Sequence, residues 1–194
     1  MTALPGGHEA KPVQPADLDL LALRRCLGSF PTGVTVVTFE VDRVPWGFTA
    51  NSFTSVSLDP ALVLVSVARQ ARSHALLPDR SFTVNVLRAA QEDVARAFAS
   101  TDDRERQRTG WVEGPTGPRL PGALAYLACR PWRVIEAGDH TLYLGRVVAF
   151  EGDAGGDALG FYRSRFVAVP QPLPSQPPTS IDPYDPFELP YDAF

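Results

Sequence analysis

At 194 residues, with 44% apolar content and 22 acidic against 18 basic side chains, the chain is sized for one globular domain with its own core. A formal charge of -4 argues against a protein built to neutralise nucleic-acid phosphates, and no segment reaches the roughly 20 apolar residues of a membrane span. Lys11 is the only lysine and lies in the stretch read as a tail, which excludes a lysine Schiff base in the folded body.

Met1 to Pro15 mixes glycine, proline and charge without the apolar run of a secretory leader. It reads as a flexible segment (1–15), and a cytoplasmic address is the expectation. The folded body is expected over residues 16–169. Its first element is a short helix, with Asp17 as N-cap, Leu20, Leu23, Leu27 and Phe30 at helical spacing, and Gly28 and Pro31 closing it. The chain then turns β-rich. Val34 to Phe39 and Ala61 to Val67 are dominated by β-branched and large apolar residues, the second without clean alternation, as expected of a strand buried on both faces. Short helices are expected near Ser73 to Leu77 and over Gln91 to Ala99. Between them Ser81 to Val86 alternates more clearly, and Thr101 to Arg108 is a charge-dense, solvated stretch. Ala123 to Ile135 and His140 to Phe150 form a long hairpin turning at Ala137-Gly138-Asp139, where glycine supplies a positive φ. Many short strands with few helices predict a mainly β barrel or sandwich. Cys26 and Cys129 lack metal or redox spacing and read as buried thiols.

From Pro170 to Phe194 proline recurs every few residues and no basic residue appears. Such a tail cannot build a packed core. Two readings stand: a structureless segment, or an arm laying Tyr184, Phe187, Tyr191 and Phe194 onto the body or a partner.

Polar residues interrupt the β-rich body in three places. Gly47 to Ser57 concentrates small and hydroxyl side chains, which let backbone approach a ligand; Thr49, Asn51 and Ser52 suit the polar edge of a heteroaromatic ring, or an ordinary strand. Arg69 to His74 opens a short helix, so Arg72 and Ser73 make either a phosphate seat or a solvated, capped turn. Asp139-His140 stands at the mouth of the hairpin, where a lone histidine is either structural or functional. No second histidine or cysteine stands at ligand spacing, so no metal is expected, and G-x-S-x-G, P-loop and G-x-G-x-x-G motifs are missing.

Together these blocks resemble the flavin reductase-like family, the small reductase components of two-component flavin monooxygenases. The resemblance runs from about Leu21 to Val169. It rests on Phe30 to Thr38, Gly47 to Phe53, Ser57 to Pro60, Ser81 to Leu87, Gly138 to His140, and Phe161 to Arg163 with Phe166. It implies an FMN-binding split β-barrel with a few short helices, working as a homodimer with flavin sites near the subunit interface. Thr49, Ala50, Asn51 and Ser52 would line the isoalloxazine ring, with Pro31 and Thr32 nearby and Ser66 and Asp139 among the cofactor contacts. Arg72 and Ser73 would hold the phosphate, and Tyr162 and Arg163 would join the pocket late in the chain. His140 would be the catalytic residue, placing the nicotinamide.

The implied reaction is reduction of FMN, or FAD, by NADH or NADPH, with the reduced flavin passing to a separate monooxygenase. Hydride transfer needs stacking and orientation more than an acid or base, which agrees with the missing triad and metal motifs. The family commonly has asparagine and hydroxyl residues where this chain has Ala68, Gln70 and Ala71, and the choice between FMN and FAD stays open. A flavoprotein that retains its flavin and acts on an organic substrate, and a non-catalytic binding module, are the alternatives.

Overall fold

The computed structural model describes residues 18–102, 104, 106, 108–152 and 155–171. Helix α1 (Leu20–Leu27) leads into β1 (Thr32–Gly33), β2 (Thr35–Val41), β3 (Val44–Ala50), β4 (Thr54–Leu58) and β5 (Ala61–Ala68). Then come α2 (Arg72–Leu76), β6 (Phe82–Val86), α3 (Glu92–Ala99), β7 (Ala125–Ala137), β8 (His140–Gly152), β9 (Ala158–Tyr162) and β10 (Arg165–Val169). Seven strands form one antiparallel sheet in the order β3-β2-β6-β7-β8-β5-β4, and β1-β9-β10 form a second. The large sheet begins and ends on strands that are chain neighbours, so it curls into the expected mainly β, split-barrel form. Its seam is bridged by one side chain: the Ser52 hydroxyl donates to the Ser66 carbonyl at 2.8 Å and accepts from the Ser66 N–H at 3.1 Å.

Strand β2 feeds two cores, because its residues alternate between them. Val37 and Phe39 point into the barrel with Val63, Val65, Phe82 and Val84. Val36, with Val34 just before the strand, faces Leu87, Ala95, Phe98 and Leu159 in a second core under α3 and the small sheet. Each fully buried Val or Phe contributes about 1.5–3 kcal/mol relative to exposure. The buried Asn85 amide donates to the Val36 carbonyl at 2.9 Å and the Thr38 hydroxyl at 3.0 Å, and its oxygen accepts from the Leu120 N–H at 2.9 Å. A polar group at zero exposure is thereby satisfied, and the loop before β7 is pinned to β2 and β6. Gly47 is required where α3 crosses β3: a Cβ there would lie 2.9 Å from the Val37 carbonyl oxygen and 3.0 Å from the Phe98 ring.

Several local expectations change. Asp19, not Asp17, caps α1, its carboxylate accepting from the Leu21 and Ala22 N–H groups; Asp17 lies outside the described residues. The apolar stripe of α1 does not enter the core, and Leu20, Leu27 and Phe30 are 64–74% exposed. The strands buried on both faces are β2 and β6, which α3 and the segment before β7 cover, while β5 alternates between buried and half-buried residues. Ser73 does not cap α2; Ala71 does, with no side-chain bond. Cys129 is buried as expected, but Cys26 is exposed. The β7–β8 hairpin turns at Gly138 (φ 63°) and Asp139 as expected. The aromatic residues of the tail, Tyr184, Phe187, Tyr191 and Phe194, and the 1–15 segment lie outside the described residues.

Candidate functional site

The end of β3, the end of β5 and the start of β8 meet at one end of the barrel. Ala68 pairs with His140 across β5 and β8, and Ser66 with Leu142, so the seam made by Ser52 lies two residues along β5 from the level of His140. The Arg69 N–H donates to the Asp139 carbonyl at 2.9 Å, and the Arg69 guanidinium pairs with Glu136 at 2.8 Å. These bonds fix the hairpin turn against the end of β5. His140 Nδ1 lies 2.7 Å from Asp139 Oδ1. An ionised carboxylate only accepts, so this contact places the proton on Nδ1 and turns Nε2 outward. The hydrogen bond from His140, and then its charge, hold the Asp139 carboxyl below its usual range.

Helix α2 docks on the same end. His74 Nε2 is 2.9 Å from the Thr141 hydroxyl, the Tyr143 hydroxyl donates to the His74 carbonyl at 3.2 Å, and the two rings meet edge to face. Ser73 is buried and Arg72 lies over the Trp46 ring, 5.1 Å from its centroid. Arg72 Nη1 also donates to the Thr101 carbonyl at 3.4 Å. The segment read as solvated is therefore partly packed, since Arg106 stacks on Trp46 from 4.3 Å.

The β3 block is used unevenly. The Thr49 hydroxyl faces α3 and donates to the Ala95 carbonyl at 2.7 Å, while Ala50 packs into the barrel core and its carbonyl accepts from Thr35 at 2.9 Å. Ser52 is committed to the seam. Asn51 is exposed. Thr32 and Tyr162 belong to the other sheet, where Thr32 pairs with Phe161; Pro31 immediately precedes it, and Arg163 stands in the β9–β10 turn, its N–H donating to the Gly28 carbonyl at 3.0 Å. Arg163 stacks on Tyr162 at 5.3 Å. The two groups approach where β1 runs into β2, since Thr35 pairs with Ala50. Thr32 Oγ1 is buried without a hydrogen-bond partner, the one such side-chain atom among the described residues.

Clefts closed by one chain lie elsewhere. One of 560 Å³ runs beside α3 past Arg96 and Arg108, one of 480 Å³ between the end of α1 and Arg163, and an apolar groove of 510 Å³ passes Leu58, Leu62 and Phe150. Thr49 to Ser52, Ser66 and His140 line none of them. Among the described residues no group of three His, Cys, Asp or Glu side chains could hold a metal, and no helix is long and apolar enough to cross a membrane. Sequence reasoning missed His74, Trp46 and Arg106. No motif or spacing in the sequence pointed to the last two, which meet only in the fold.

The model of the flavin reductase like domain matches residues 27–170. The reductase component of a flavin-dependent trigonelline monooxygenase from Acinetobacter baylyi is 43% identical over 147 residues, 74% of this chain and 47% of that protein. The chain thus spans about half the length of that relative. An NADH-dependent FAD reductase from Streptomyces globisporus is 43% identical over 78% of this chain and 89% of its own length. The solved Streptomyces globisporus NADH:FAD oxidoreductase, in complex with NAD and FAD fragments, superposes with a TM-score of 0.74 at 41% identity, covering 87% of this chain and all of that one.

Proposed function

Because the chain belongs to the flavin reductase-like family, we propose that it oxidises NADH or NADPH to reduce a flavin, FMN or FAD, for use by a separate flavin-dependent monooxygenase. The observation that carries this reading is the meeting of three distant sequence blocks, Asn51-Ser52, Ser66 to Arg69 and Asp139-His140, at one end of the barrel. A bound flavin supplies the electron acceptor for a hydride from the nicotinamide.

The residues present fit such a ring. Thr32 offers a buried hydroxyl that lacks a partner, a state costing about 1–3 kcal/mol until a polar group meets it. Asn51 presents an exposed amide, and Ala50 and Ser52 hold the backbone between them in place. Arg72 and Ser73, at the start of α2, would hold a phosphate. His140, its Nδ1 held by Asp139, orients a carboxamide through Nε2. Tyr162 and Arg163 join from the small sheet. Catalysis of this kind rests on orientation and exclusion of water, with no proton relay to build.

Two further parts of the reading have their own support. The exposed stripe of α1 and the groove beside Phe150, itself 78% exposed, suit a second copy of the chain, so the working unit is a homodimer. The free cysteines and the nicotinamide substrate suit the cytoplasm.

The test is oxidation of NADH and NADPH by purified protein, followed by loss of the reduced nicotinamide absorbance, with and without added FMN, FAD or riboflavin. Turnover that saturates with free flavin is the expected result. A tightly held flavin without turnover favours a flavoprotein acting on an organic substrate, and neither turnover nor flavin binding leaves a non-catalytic module.

A further inference from the structure

Helix α1 ends against the β9–β10 turn, where the Arg163 N–H donates to the Gly28 carbonyl at 3.0 Å. Between them lies a cleft of 480 Å³ lined by Arg24, Arg25, Cys26, Ser29, Arg163 and Ser164. Guanidiniums from Arg24, Arg25 and Arg163 thus border one concave surface of a chain whose formal charge is -4. Among the described residues none of these arginines is ion-paired, and Arg163 stacks on Tyr162. Arg24 and Arg25 stand in the last turn of α1, and helical spacing turns Arg25 away from both Leu23 and Leu27. The cleft therefore opens beside the leucine stripe of α1, not on it.

The turn adds a second observation. Arg163 and Ser164 both have positive φ, 46° and 63°, the backbone for which two-residue hairpins favour Asn-Gly. A long charged side chain is held there against the local preference, and what the position gains is a guanidinium on the wall of the cleft.

A segment of opposite charge belongs to the same chain. Beyond Gln171 the sequence carries Asp182, Asp185, Glu188 and Asp192 and no basic residue. Asp182-Pro183, Asp185-Pro186 and Glu188 recur at every third position, which is the period of a polyproline helix. That conformation would set their carboxylates along one edge at steps of about 9 Å. Gln171, the last described residue, is held by its N–H on the Asp157 carboxylate at 3.0 Å. From there back along β10 to Arg163 is about 25 Å at the rise of a strand, while Gln171 to Asp182 spans about 34 Å as polyproline. The acidic run therefore reaches the cleft, at an effective concentration on the order of millimolar. Exposed ion pairs that are each weak then act together.

We propose that residues 182–188 of the same chain dock in this cleft, the carboxylates of Asp182, Asp185 and Glu188 facing the guanidiniums of Arg24, Arg25 and Arg163. Such docking stands whether or not the barrel reduces a flavin. Cys26 is a built-in reporter, because it is exposed and lines the cleft while Cys129 is buried. Alkylation of Cys26 in the full chain by iodoacetamide, read by peptide mass spectrometry, is expected to run about fivefold faster when Asp182→Asn, Asp185→Asn and Glu188→Gln are combined. Salt at about 0.5 M should bring the wild type up to the rate of that variant. On an Arg24→Gln, Arg25→Gln background the tail substitutions should lose most of their effect, because the protection belongs to the pairs. Equal Cys26 rates in the wild type and the tail variant overturn the proposal, and a tail effect undiminished by loss of both arginines overturns the assignment to this cleft.

A disulfide trap reads the register and the chain of origin. In Tyr184→Cys, oxidised glutathione is expected to link residue 184 to Cys26 within one chain, since a docked segment holds the two positions within bonding range. Ser175→Cys should not link, because only about 13 Å of chain separates it from Gln171. Non-reducing electrophoresis with peptide mapping distinguishes a link within one chain from a link between two. A link between chains assigns the occupant to a second copy and overturns docking within the chain. A Tyr184→Cys yield no higher than that of Ser175→Cys overturns the register.

Discussion

The hydroxyl of Ser52 makes to Ser66 both bonds that a neighbouring strand would make: it donates to the carbonyl at 2.8 Å and accepts from the N–H at 3.1 Å. The barrel seam between the end of β3 and β5 is therefore held by a side chain. Replacing Ser52 by alanine leaves both Ser66 backbone groups without that partner in a half-buried place. Ser52→Ala is expected to lower unfolding stability by about 1–2 kcal/mol, with the denaturant midpoint falling at constant slope. Flavin affinity should fall with it, because Asn51 loses its fixed neighbour. An unchanged midpoint would show that the seam is held by other contacts.

Asp139 and His140 form the next testable pair. The carboxyl of Asp139 is held below its ordinary value of 3.8 by the His140 hydrogen bond first and the His140 charge second. A depressed folded-state value means that this group's contribution to stability is present above the unfolded value and is lost as pH falls through the folded one. Its window is therefore below about pH 4, and activity near neutrality should show no step from Asp139. Asp139→Asn removes the acceptor that fixes Nδ1–H. The KM for the nicotinamide is expected to rise about fivefold with kcat little changed. A carbon-13 titration of the Asp139 carboxyl, with an ordinary value, would refute the pairing in solution.

Much of this arrangement was legible in the sequence, for identifiable reasons. The hairpin at Gly138-Asp139 and the strands β2, β5 and β6 follow from β-branched runs and a glycine with positive φ, which are local signals. What the sequence could not carry was which outer faces are covered. β5 reads as buried on both faces by composition, yet β2 and β6 are, because α3 and the segment before β7 lie over them. Thr49 looked like a ligand contact, but its hydroxyl is spent on the Ala95 carbonyl, a partner 46 residues away. The pairing of Trp46 with Arg106 is equally nonlocal, and no spacing rule announces it.

Cys129 offers a check on the barrel interior. Burial pushes its thiol pKa up from 9.0 to about 12. The reactive form is the thiolate, so Cys129 should resist alkylation at neutral pH until the chain unfolds. Peptide mass spectrometry after native and denatured labelling reads this directly. The linkage sign is also fixed. Below 9.0 both states keep the proton, whereas above it the unfolded chain loses the proton first, so this group's share of stability falls as pH rises from 9.0 toward about 12. Native labelling of Cys129 at neutral pH would contradict the packing of Phe82 and Gly145 around it.

Helix α1 gives the sharpest test of assembly because no residue of it is buried, although Leu20, Leu23 and Leu27 line one side. An apolar stripe left in water loses about 25 cal/mol for each Å² that a partner would cover. If a second copy supplies that cover, the double variant Leu23→Asp with Leu27→Asp should be monomeric by light scattering while the wild type is dimeric. Its far-ultraviolet spectrum should stay near that of the wild type, since the substituted side chains support neither core. This separates assembly from folding, which a substitution at Val37 or Phe39 would not do. A wild type that runs as a monomer, or a double variant that stays dimeric, would remove α1 from the interface.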